Sequence, residues 1–286
     1  MRVAIIGARG QLGAAITETF AAGHHVTPLG HEDLDATDDR AVSEVFERLH
    51  PDAIINCAAY NNVDGAEDHP VEALNLNAFA VRALARAATG SILVHFSTDF
   101  VFDGTASAPY TEDDRPNPRS VYAASKLLGE WFAADAGRSY VLRVESLFGR
   151  GENGPSRGTI AGLWRKITTG EPVNVFYDRT ITPTLVGDAA HATRALVGSQ
   201  APSGLYHCVN SGCCTWLELA TELAREAGVQ PQLVPVRMAD VRLRAQRPQY
   251  CALSNAKLLA AGIAMPTWQD AIRRFVAAEH LGTAHK

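Results

Sequence analysis

The sequence RVAIIGARGQLG, at residues 2–13, joins a short apolar run to a turn that contains three glycines. The run at residues 2–6 ends in glycine, which is typical of a buried strand. Beyond the turn, Leu12, Ile16 and Phe20 are four residues apart, as on one face of a helix, and Gly23 is a stop signal. The stretch therefore predicts a strand, a glycine turn and a helix, in that order.

The glycines of this turn, Gly7, Gly10 and Gly13, are candidates for binding a dinucleotide. Residues without a Cβ allow a tight turn and let backbone N–H groups approach a pyrophosphate at the helix N-terminus. The spacing G-x-x-G-x-x-G is not distinctive by itself, and a plain strand–helix turn is the alternative. Its place after a strand and before an amphipathic helix favours dinucleotide binding.

Strands and helices alternate through the first half of the chain. Strands are predicted at 25–30, 53–59, 92–97 and 140–146, and helices around 42–49, at 67–88 and at 120–136. Such alternation indicates crossover connections and a parallel sheet that is covered on both faces. The predicted fold class is α/β, a Rossmann-type doubly wound parallel sheet with a smaller C-terminal α/β substrate domain.

The segment GRGENGPSRG, at residues 149–158, is rich in glycine and charge and predicts a loop or a domain junction. Shorter elements follow: helices near 159–169, 187–198, 215–227 and 254–261, and strands near 205–209 and 233–236. We predict a dinucleotide-binding Rossmann domain at residues 1–148. Residues 149–286 are predicted to be mainly a substrate-binding domain, and the return of some of its segments to the Rossmann sheet is left open.

Composition excludes several classes of protein. The chain has 286 residues, 47% of them hydrophobic and 20% charged, which is ordinary for a globular protein that buries a full core. The net charge is −5 and no basic block is present, which argues against a nucleic-acid partner. The N-terminus does not resemble a signal peptide, and no run approaches the roughly 18 apolar residues of a membrane helix. These features predict a cytoplasmic enzyme with no membrane partner.

The five cysteines are predicted to be reduced thiols, because their number is odd and no secretory signal accompanies them. Cys208, Cys213 and Cys214, together with His207, could be imagined as a metal site. Their spacing fits no common ligand pattern, and small buried apolar residues are the better interpretation. No metal is predicted.

The end of the second predicted strand bears on the choice of cofactor. An acid about 20 residues beyond the glycine turn would hold the ribose hydroxyls of NAD. The strand ends at Gly30 and His31 instead, and Arg9 in the glycine turn could reach a 2′-phosphate. Both features favour NADPH over NADH, although Arg9 and His31 as solvated surface residues are the alternative.

A tyrosine and a lysine, Tyr122 and Lys126, are four residues apart in a predicted helix and so share one face. A lysine ammonium beside a phenol would lower the pKa of the tyrosine, which could then exchange a proton with a substrate oxygen. Thr98 lies 24 residues earlier, at the end of a predicted strand. Strand end and helix start meet at the carboxyl edge of such a sheet, where ligands bind.

These features resemble the short-chain dehydrogenase/reductase superfamily, in its sugar-nucleotide branch, and more closely the dTDP-4-dehydrorhamnose reductases. The similar segments are GARGQLG (7–13), LDATD (34–38), INCAAYNNVDGAE (55–67), STDFVFDG (97–104), NPRSVYAASKLLGE (117–130) and RPQYCALSNAKL (247–258). The resemblance implies catalysis by Thr98, Tyr122 and Lys126, with Lys126 also on the nicotinamide ribose. It implies a cofactor site that includes Gly7, Gln11, Leu12, Asp38, Ala58 and Ala59, and substrate contacts by Val63 and Asp64.

Two departures from this family lie in the substrate half. Ser146 stands where the family places a tryptophan, and Ile181 stands where its Asp-Gln-x-Gly-x-Pro-Thr motif has glycine. We expect a pocket of different shape, with open space beside Ser146 and with the Ile181 side chain filling space beside the ligand. Such a pocket favours a different 4-keto sugar nucleotide; the alternative is that neighbouring side chains refill the gap and the usual substrate still fits. Arg179 and Arg247 are candidate partners of the diphosphate, or else members of surface ion pairs.

The resemblance implies an NAD(P)H-dependent reductase that adds hydride to C4 of a 4-keto-6-deoxy sugar nucleotide, with Tyr122 as proton donor. One alternative is an epimerase or dehydratase of the same superfamily. Related dehydratases carry Thr-Asp-Glu, whereas this chain has Phe100 after Asp99, so elimination is disfavoured. Asp99 is interpreted as a turn or structural residue, and a place near the site is left open. The second alternative is a non-catalytic regulatory subunit like that of methionine adenosyltransferase. A homodimer is an open prediction.

Overall fold

The computed structural model describes residues 1–151 and 156–283. Its strands are β1 (Arg2–Ile6), β2 (His25–Leu29), β3 (Ala53–Asn56), β4 (Ile92–Thr98), β5 (Arg138–Val144), β6 (Leu147–Phe148), β7 (Val173–Phe176), β8 (Thr180–Ile181), β9 (Thr184–Leu185), β10 (Gly204–His207), β11 (Cys214–Thr215) and β12 (Leu233–Val236). The predicted junction at 149–158 lies partly outside the described residues.

The helices of the first half are α1 (Gln11–Ala21), α2 (Asp39–Leu49), α3 (Val63–Asp68), α4 (Pro70–Leu74), α5 (Ala80–Ala87) and α6 (Val121–Ala134). Those of the second half are α7 (Gly158–Thr169), α8 (Val186–Gly198), α9 (Trp216–Ala227), α10 (Ala256–Ala260) and α11 (Trp268–Thr283). A π-helical turn at Asn75–Phe79 and 3₁₀ turns at Asp99–Val101 and Met238–Asp240 complete the set.

The central sheet has six strands in the order β10–β5–β4–β3–β1–β2, and every neighbouring pair is parallel. All residues of β3 and β4 are buried, as expected of strands that are covered on both faces. The arrangement confirms the predicted α/β fold class. The chain passes from β1 to β2 on one side and returns to β3 on the other. A crevice therefore opens at the carboxyl ends of β1 and β3, where such sheets bind ligands.

The second half of the chain builds a separate apolar core and also completes the sheet. The parallel pair β7–β12 and the antiparallel pair β8–β11 pack with α7, α9 and α11 around buried residues that include Ile181 and Phe275. In addition, β10 pairs with β5, and α8 packs on α1, where Arg194 donates to the Thr19 carbonyl at 3.0 Å. The division at residue 148 into two domains stays a prediction.

The helix predicted at 67–88 is broken into several pieces. Pro70, at the first position of α4, cannot continue the hydrogen bonding of α3. The π-helical turn brings the buried Asn77 side chain against Tyr60, with which it exchanges two backbone hydrogen bonds of 2.8 and 3.1 Å. The same side chain donates to Ser125 at 3.0 Å, so the irregular helix is fixed to α6.

Of the helices in the described ranges, none combines the length and the apolar character that crossing a membrane requires. The predictions of a cytoplasmic location and of reduced thiols are not tested by this finding.

Candidate active site

A cavity of about 570 Å³ opens at the carboxyl ends of the central strands. The first half of the chain contributes Gly10, Gln11, Leu12, Gly13, Cys57, Ala59, Asn61, Asn62, Val63, Asp64, Phe96, Ser97, Thr98, Asp99, Phe100, Tyr122, Lys126 and Val144. The segments that follow β5 contribute Glu145, Ser146, Leu147, Gly158, Thr159, Ile160, Arg179, Trp216 and Arg247. The cavity therefore lies between the glycine turn and the C-terminal half.

The glycine turn has the close backbone approaches that a dinucleotide site needs. Gly7 has φ +72°, and a Cβ there would lie 2.7 Å from the backbone nitrogen of Ala58, two residues after the end of β3. A Cβ on Gly13 would lie 2.2 Å from the Gly7 carbonyl oxygen. The N-cap of α1 is Gly10, no side chain caps it, and no acid occupies the first turn. The N–H groups at this helix end can therefore bind an anion.

Carboxylates surround Arg9 at the tip of β2. Its guanidinium lies 2.8 Å from Glu32 and 3.8 Å from Asp33, and all three side chains are largely exposed. Asp33 also accepts the backbone N–H of Gly30 at 2.8 Å. A 2′-phosphate at this position would have to compete with Glu32 for Arg9.

Thr98, Tyr122 and Lys126 meet on one side of the cavity, and all three are buried. Thr98 is the last residue of β4, and Tyr122 lies in the first turn of α6. Ser120 caps this helix by accepting the N–H of Ala123. The Thr98 side chain lies close enough to the Tyr122 phenol to influence its pKa. Lys126 donates from Nζ to the Phe96 carbonyl at 2.6 Å.

Burial dominates the ionisation of this pair. It raises the pKa of Tyr122 above that of a free phenol, against the opposing effect of the Thr98 side chain. Burial also lowers the pKa of Lys126 to about 8, although the carboxylate of Glu130 raises it. The net shift of the Tyr122 pKa is therefore upward, opposite to the lowered pKa that the spacing with Lys126 predicted. A phenol that stays protonated at neutral pH is suited to donating a proton.

Two acids and a guanidinium form a buried cluster beside Thr98. Oxygens of Asp99 and Glu145 and the Cys251 sulfur all lie within 4.8 Å of one another. Arg179 belongs to the same group: it donates to the Cys251 sulfur at 3.7 Å, and its Cζ lies 5.5 Å from the Phe100 ring centroid. The guanidinium already provides a cation for the two acids. Asp99 lines the cavity and bonds Thr98 at 3.0 Å, so it lies at the site, which the sequence had left open.

An ion pair joins the two halves of the chain at the cavity wall. Arg247 donates through both terminal nitrogens to Asp64, at 3.0 and 2.8 Å, and the backbone N–H of Ala245 donates to the same carboxylate at 2.9 Å. These bonds lower the pKa of Asp64, with the hydrogen bond from Arg247 as the largest cause. The two predicted substrate residues, Asp64 and Arg247, are therefore partners of each other.

Most of the predicted site residues line the cavity. These are Gly10, Gln11, Leu12, Gly13, Ala59, Val63, Asp64, Thr98, Tyr122, Lys126, Ser146, Arg179 and Arg247. The other predicted residues, Gly7, Arg9, His31, Asp38 and Ala58, are not among its described lining. Asp38 is the N-cap of α2, and its carboxylate accepts the N–H groups of Arg40 and Ala41.

Ile181 is one departure that does not reach the cavity. It is fully buried in the second apolar core and pairs with Cys214 across β8 and β11. The expectation that its side chain fills space beside the ligand is therefore wrong. Ser146 does line the cavity and has φ +43°, a backbone conformation that few non-glycine residues adopt.

Sequence reasoning missed Glu145 and Trp216. Glu145 directly follows β5, so its place at the carboxyl edge of a buried strand was an available signal. Trp216 begins α9, whose capping box of Thr215 and Glu218 sets the helix start. Its indole nitrogen is buried and has no hydrogen-bond partner among the described residues. No pattern in the sequence places that indole at the cavity.

Comparison with known proteins agrees with this geometry. A family model described as the RmlD substrate binding domain matches residues 1–281. The chain is 36% identical to a dTDP-4-dehydrorhamnose reductase of Streptomyces griseus, over 91% of this chain and 87% of that protein. It is also 36% identical to a probable dTDP-4,6-dihydroxy-2-methyloxan-3-one 4-ketoreductase of Streptomyces antibioticus, over 98% and 97%. A crystal structure of the Bacillus anthracis dTDP-4-dehydrorhamnose reductase in complex with NADP superposes with TM-score 0.91 and 32% identity, over 96% of this chain and 98% of that chain.

Proposed function

Because the chain belongs to the family of the RmlD substrate binding domain, we propose that it is an NADPH-dependent reductase of a 4-keto sugar nucleotide. The observation that carries this proposal is the meeting of Thr98, Tyr122 and Lys126, all three buried, at a cavity beside an uncapped glycine turn. The relatives named dTDP-4-dehydrorhamnose reductase and the related structure in complex with NADP support the same activity.

The chain has the backbone features that a nicotinamide dinucleotide requires. The glycine turn and the free N–H groups of α1 would hold its pyrophosphate, and Lys126 would reach the nicotinamide ribose. NADPH, when bound, supplies the hydride that reduces a carbonyl. Residues 1–148 would hold the cofactor, and residues 149–286 would mainly bind the substrate.

Tyr122 would donate the proton that the reduction consumes. Its phenol is protonated at neutral pH, because burial raises its pKa, and it would transfer this proton to the developing alkoxide at C4. Thr98 would hold the same oxygen. Lys126, a buried cation, would stabilise the phenolate left on Tyr122 by electrostatic attraction.

The second half would recognise the rest of the substrate. Arg179 and Arg247 are candidate partners of the diphosphate, because a guanidinium matches phosphate oxygens with two parallel bonds. Val63 and Asp64 would lie near the sugar. Arg247 would have to exchange part of its bonding with Asp64 for bonding with the nucleotide.

Two other functions are less well supported. Elimination by a dehydratase needs an acid and a base beside the sugar, and Phe100 provides neither. A non-catalytic regulatory subunit has no need of a buried Tyr122, Thr98 and Lys126 at a cavity of this size. A stoichiometric partner enzyme in a pull-down, without turnover, would favour the latter function.

A screen of 4-keto sugar nucleotides tests the proposal. Each is mixed with the protein and NADPH, and absorbance at the NADPH band is followed. We expect oxidation of NADPH with at least one of them, and conversion of its carbonyl to a hydroxyl in the product. Failure of every such compound under conditions where the protein is folded and binds NADPH would contradict a reductase.

Light scattering during size exclusion would test the proposed homodimer.

A further inference from the structure

The hydroxyl of Thr98 has a protein partner both for its proton and for its oxygen. It donates its single proton to Oδ1 of Asp99 at 3.0 Å, and its oxygen accepts the backbone N–H of Phe100 at 3.2 Å. A hydroxyl has one hydrogen to donate. In this arrangement that hydrogen points at a carboxylate rather than into the cavity.

A ketone oxygen can only accept hydrogen bonds, so Thr98 must redirect its hydrogen to hold the substrate. An ionised Asp99 opposes this change, because it is an acceptor and would lose its bond in a buried place. A protonated Asp99 favours it: the carboxyl then donates to the Thr98 oxygen, and the hydroxyl hydrogen is free to turn toward the carbonyl.

We propose that Asp99 is a positioning residue whose proton turns the Thr98 hydroxyl toward the substrate carbonyl, so that the reductase works with Asp99 in its acid form. The inference rests on the proposed function. Asp99 does not lose its proton during the reaction. Tyr122 still gives the proton that forms the product hydroxyl, the hydride comes from the cofactor, and Tyr122 regains a proton from solvent after release.

The surroundings of Asp99 permit a proton on it near neutral pH. Only 3% of the residue is exposed, and Oδ2 has no hydrogen-bond partner among the described residues. Burial raises the pKa of Asp99 to about 6, although the Arg179 guanidinium and the Thr98 hydroxyl both lower it. The ionisable groups that face Asp99 are Tyr122 from α6, Glu145 after β5, Arg179 before β8 and Cys251 from the segment after β12.

Glu145 is the second buried acid of this cluster, so its titration has to be distinguished from that of Asp99. Burial raises the pKa of Glu145 well above that of a free carboxyl, and the nearby Asp99 raises it further. One oxygen of Glu145 accepts the Thr182 N–H at 2.7 Å. A glutamine keeps that acceptor, so Glu145→Gln is a matched control, with the same acid-to-amide change in the same cluster.

The test is the dependence of kcat/KM on pH, measured from pH 5 to pH 9 with NADPH and the best 4-keto sugar nucleotide. In the natural protein we expect kcat/KM to fall about tenfold per pH unit once Asp99 ionises, above about pH 6. Asp99→Asn places a permanent N–H donor beside Thr98. We expect this variant not to show the fall in kcat/KM above about pH 6. Its kcat/KM should stay constant up to about pH 8, where Lys126 titrates.

Two further variants keep the test decisive. Glu145→Gln should retain the fall in kcat/KM at the same pH, whatever its maximal rate. Thr98→Val has no hydroxyl to redirect, so it should be slow and should not show the fall in kcat/KM above about pH 6. This variant tests the proposal if Asp99→Asn does not fold. Carbon-13 NMR of aspartate-labelled, cofactor-free protein should show one carboxyl that titrates near pH 6 and is missing in Asp99→Asn.

The proposal would be overturned if the fall in kcat/KM above about pH 6 persisted in Asp99→Asn or in Thr98→Val. It would also be overturned if this fall disappeared in Glu145→Gln alone. A natural protein that reduces the substrate with a flat profile between pH 5 and pH 8 would overturn this inference and leave the reductase intact. The absence of any reduction would contradict the proposed function itself.

Discussion

Glu130 and Arg143 form a doubly hydrogen-bonded ion pair inside the protein, between α6 and β5. The guanidinium donates from Nε and one terminal nitrogen to the two carboxylate oxygens, at 2.8 and 2.7 Å, and both side chains are buried. Ser97 donates to the same carboxylate at 2.6 Å. Ser97 precedes Thr98, and Glu130 lies one helical turn after Lys126. The pair therefore fixes the strand and the helix that carry the proposed catalytic residues.

Removal of one partner of this pair should be strongly destabilising. Glu130→Ala leaves the Arg143 guanidinium buried without its counter-charge, and we expect a loss of about 3–5 kcal/mol in the free energy of unfolding. Urea denaturation measures it. Glu44→Ala is the control, since Glu44 pairs with Arg40 at the surface and should change the value by less than about 1 kcal/mol. Equal effects of the two substitutions would show that burial of the pair is unimportant.

Tyr122→Phe should abolish the proton donor and preserve the fold. We expect turnover to fall by roughly 10²–10⁴-fold, as is typical of a lost general acid, with NADPH binding unchanged. Steady-state kinetics and a fluorescence titration of NADPH measure the two quantities. Tyr177→Phe, at an exposed position outside the cavity, is the control and should behave as the natural protein does. Near-normal turnover of Tyr122→Phe would contradict the assignment.

The preference between cofactors should depend on the partners of Arg9. Arg9→Ala should weaken NADPH binding and barely affect NADH. Glu32→Gln removes a carboxylate 2.8 Å from the guanidinium, so we expect tighter NADPH binding, by up to about fivefold for an exposed pair. Titration of both reduced cofactors against both variants measures this. Tighter binding of NADH than of NADPH by the natural protein would refute the preference.

Arg247 should act in substrate binding rather than in chemistry. Arg247→Ala removes a candidate diphosphate partner that lines the cavity, so we expect KM for the sugar nucleotide to rise about tenfold or more, with a smaller change in kcat. Arg244 pairs with Asp68 outside the described cavity lining, and Arg244→Ala is the matched control. The same rise in KM for both variants would show that the arginines only join the two halves.

Ser146 should alter the choice of sugar. Without the tryptophan of the resembling reductases, this part of the cavity wall loses an apolar surface. We expect kcat/KM for dTDP-4-dehydrorhamnose below roughly 10⁴ M⁻¹s⁻¹, the low end for ordinary enzymes, and a higher value for another 4-keto sugar nucleotide. Steady-state kinetics on both compounds decide this. A value at or above that limit for dTDP-4-dehydrorhamnose would indicate that neighbours such as Trp216 restore the wall.

Patterns that are local in the chain predicted much of the fold and part of the site. The glycine turn, the four-residue spacing of Tyr122 and Lys126, and the run that ends at Thr98 are readable because strand and helix periods are short. Contacts between distant segments were not readable. The cluster of Asp99, Glu145 and Arg179 depends on how the second half folds over the sheet edge, and no periodicity encodes that packing.

Burial was the other property that local patterns could not supply. The spacing of Tyr122 and Lys126 suggested a mutual effect on their pKa values, whereas desolvation proved to be the larger cause. Ile181 was assigned to the ligand from its place in a motif, although its side chain turns into the apolar core. The side on which a residue of a two-residue strand projects is set by tertiary packing, which a motif does not record.

The pairing of β10 with β5 has a consequence for how the protein is made. On the ribosome, β5 is complete at Val144, but its outer edge stays unpaired until His207 has been added, 63 residues later. At the usual rate of roughly 5–20 residues per second, that interval is about 3–13 s. During it the nascent chain exposes a hydrophobic strand edge, of the kind that pairs with other chains. We expect a ribosome-bound chain that ends near residue 150 to recruit chaperones, and one that extends past α8 and β10 to release them.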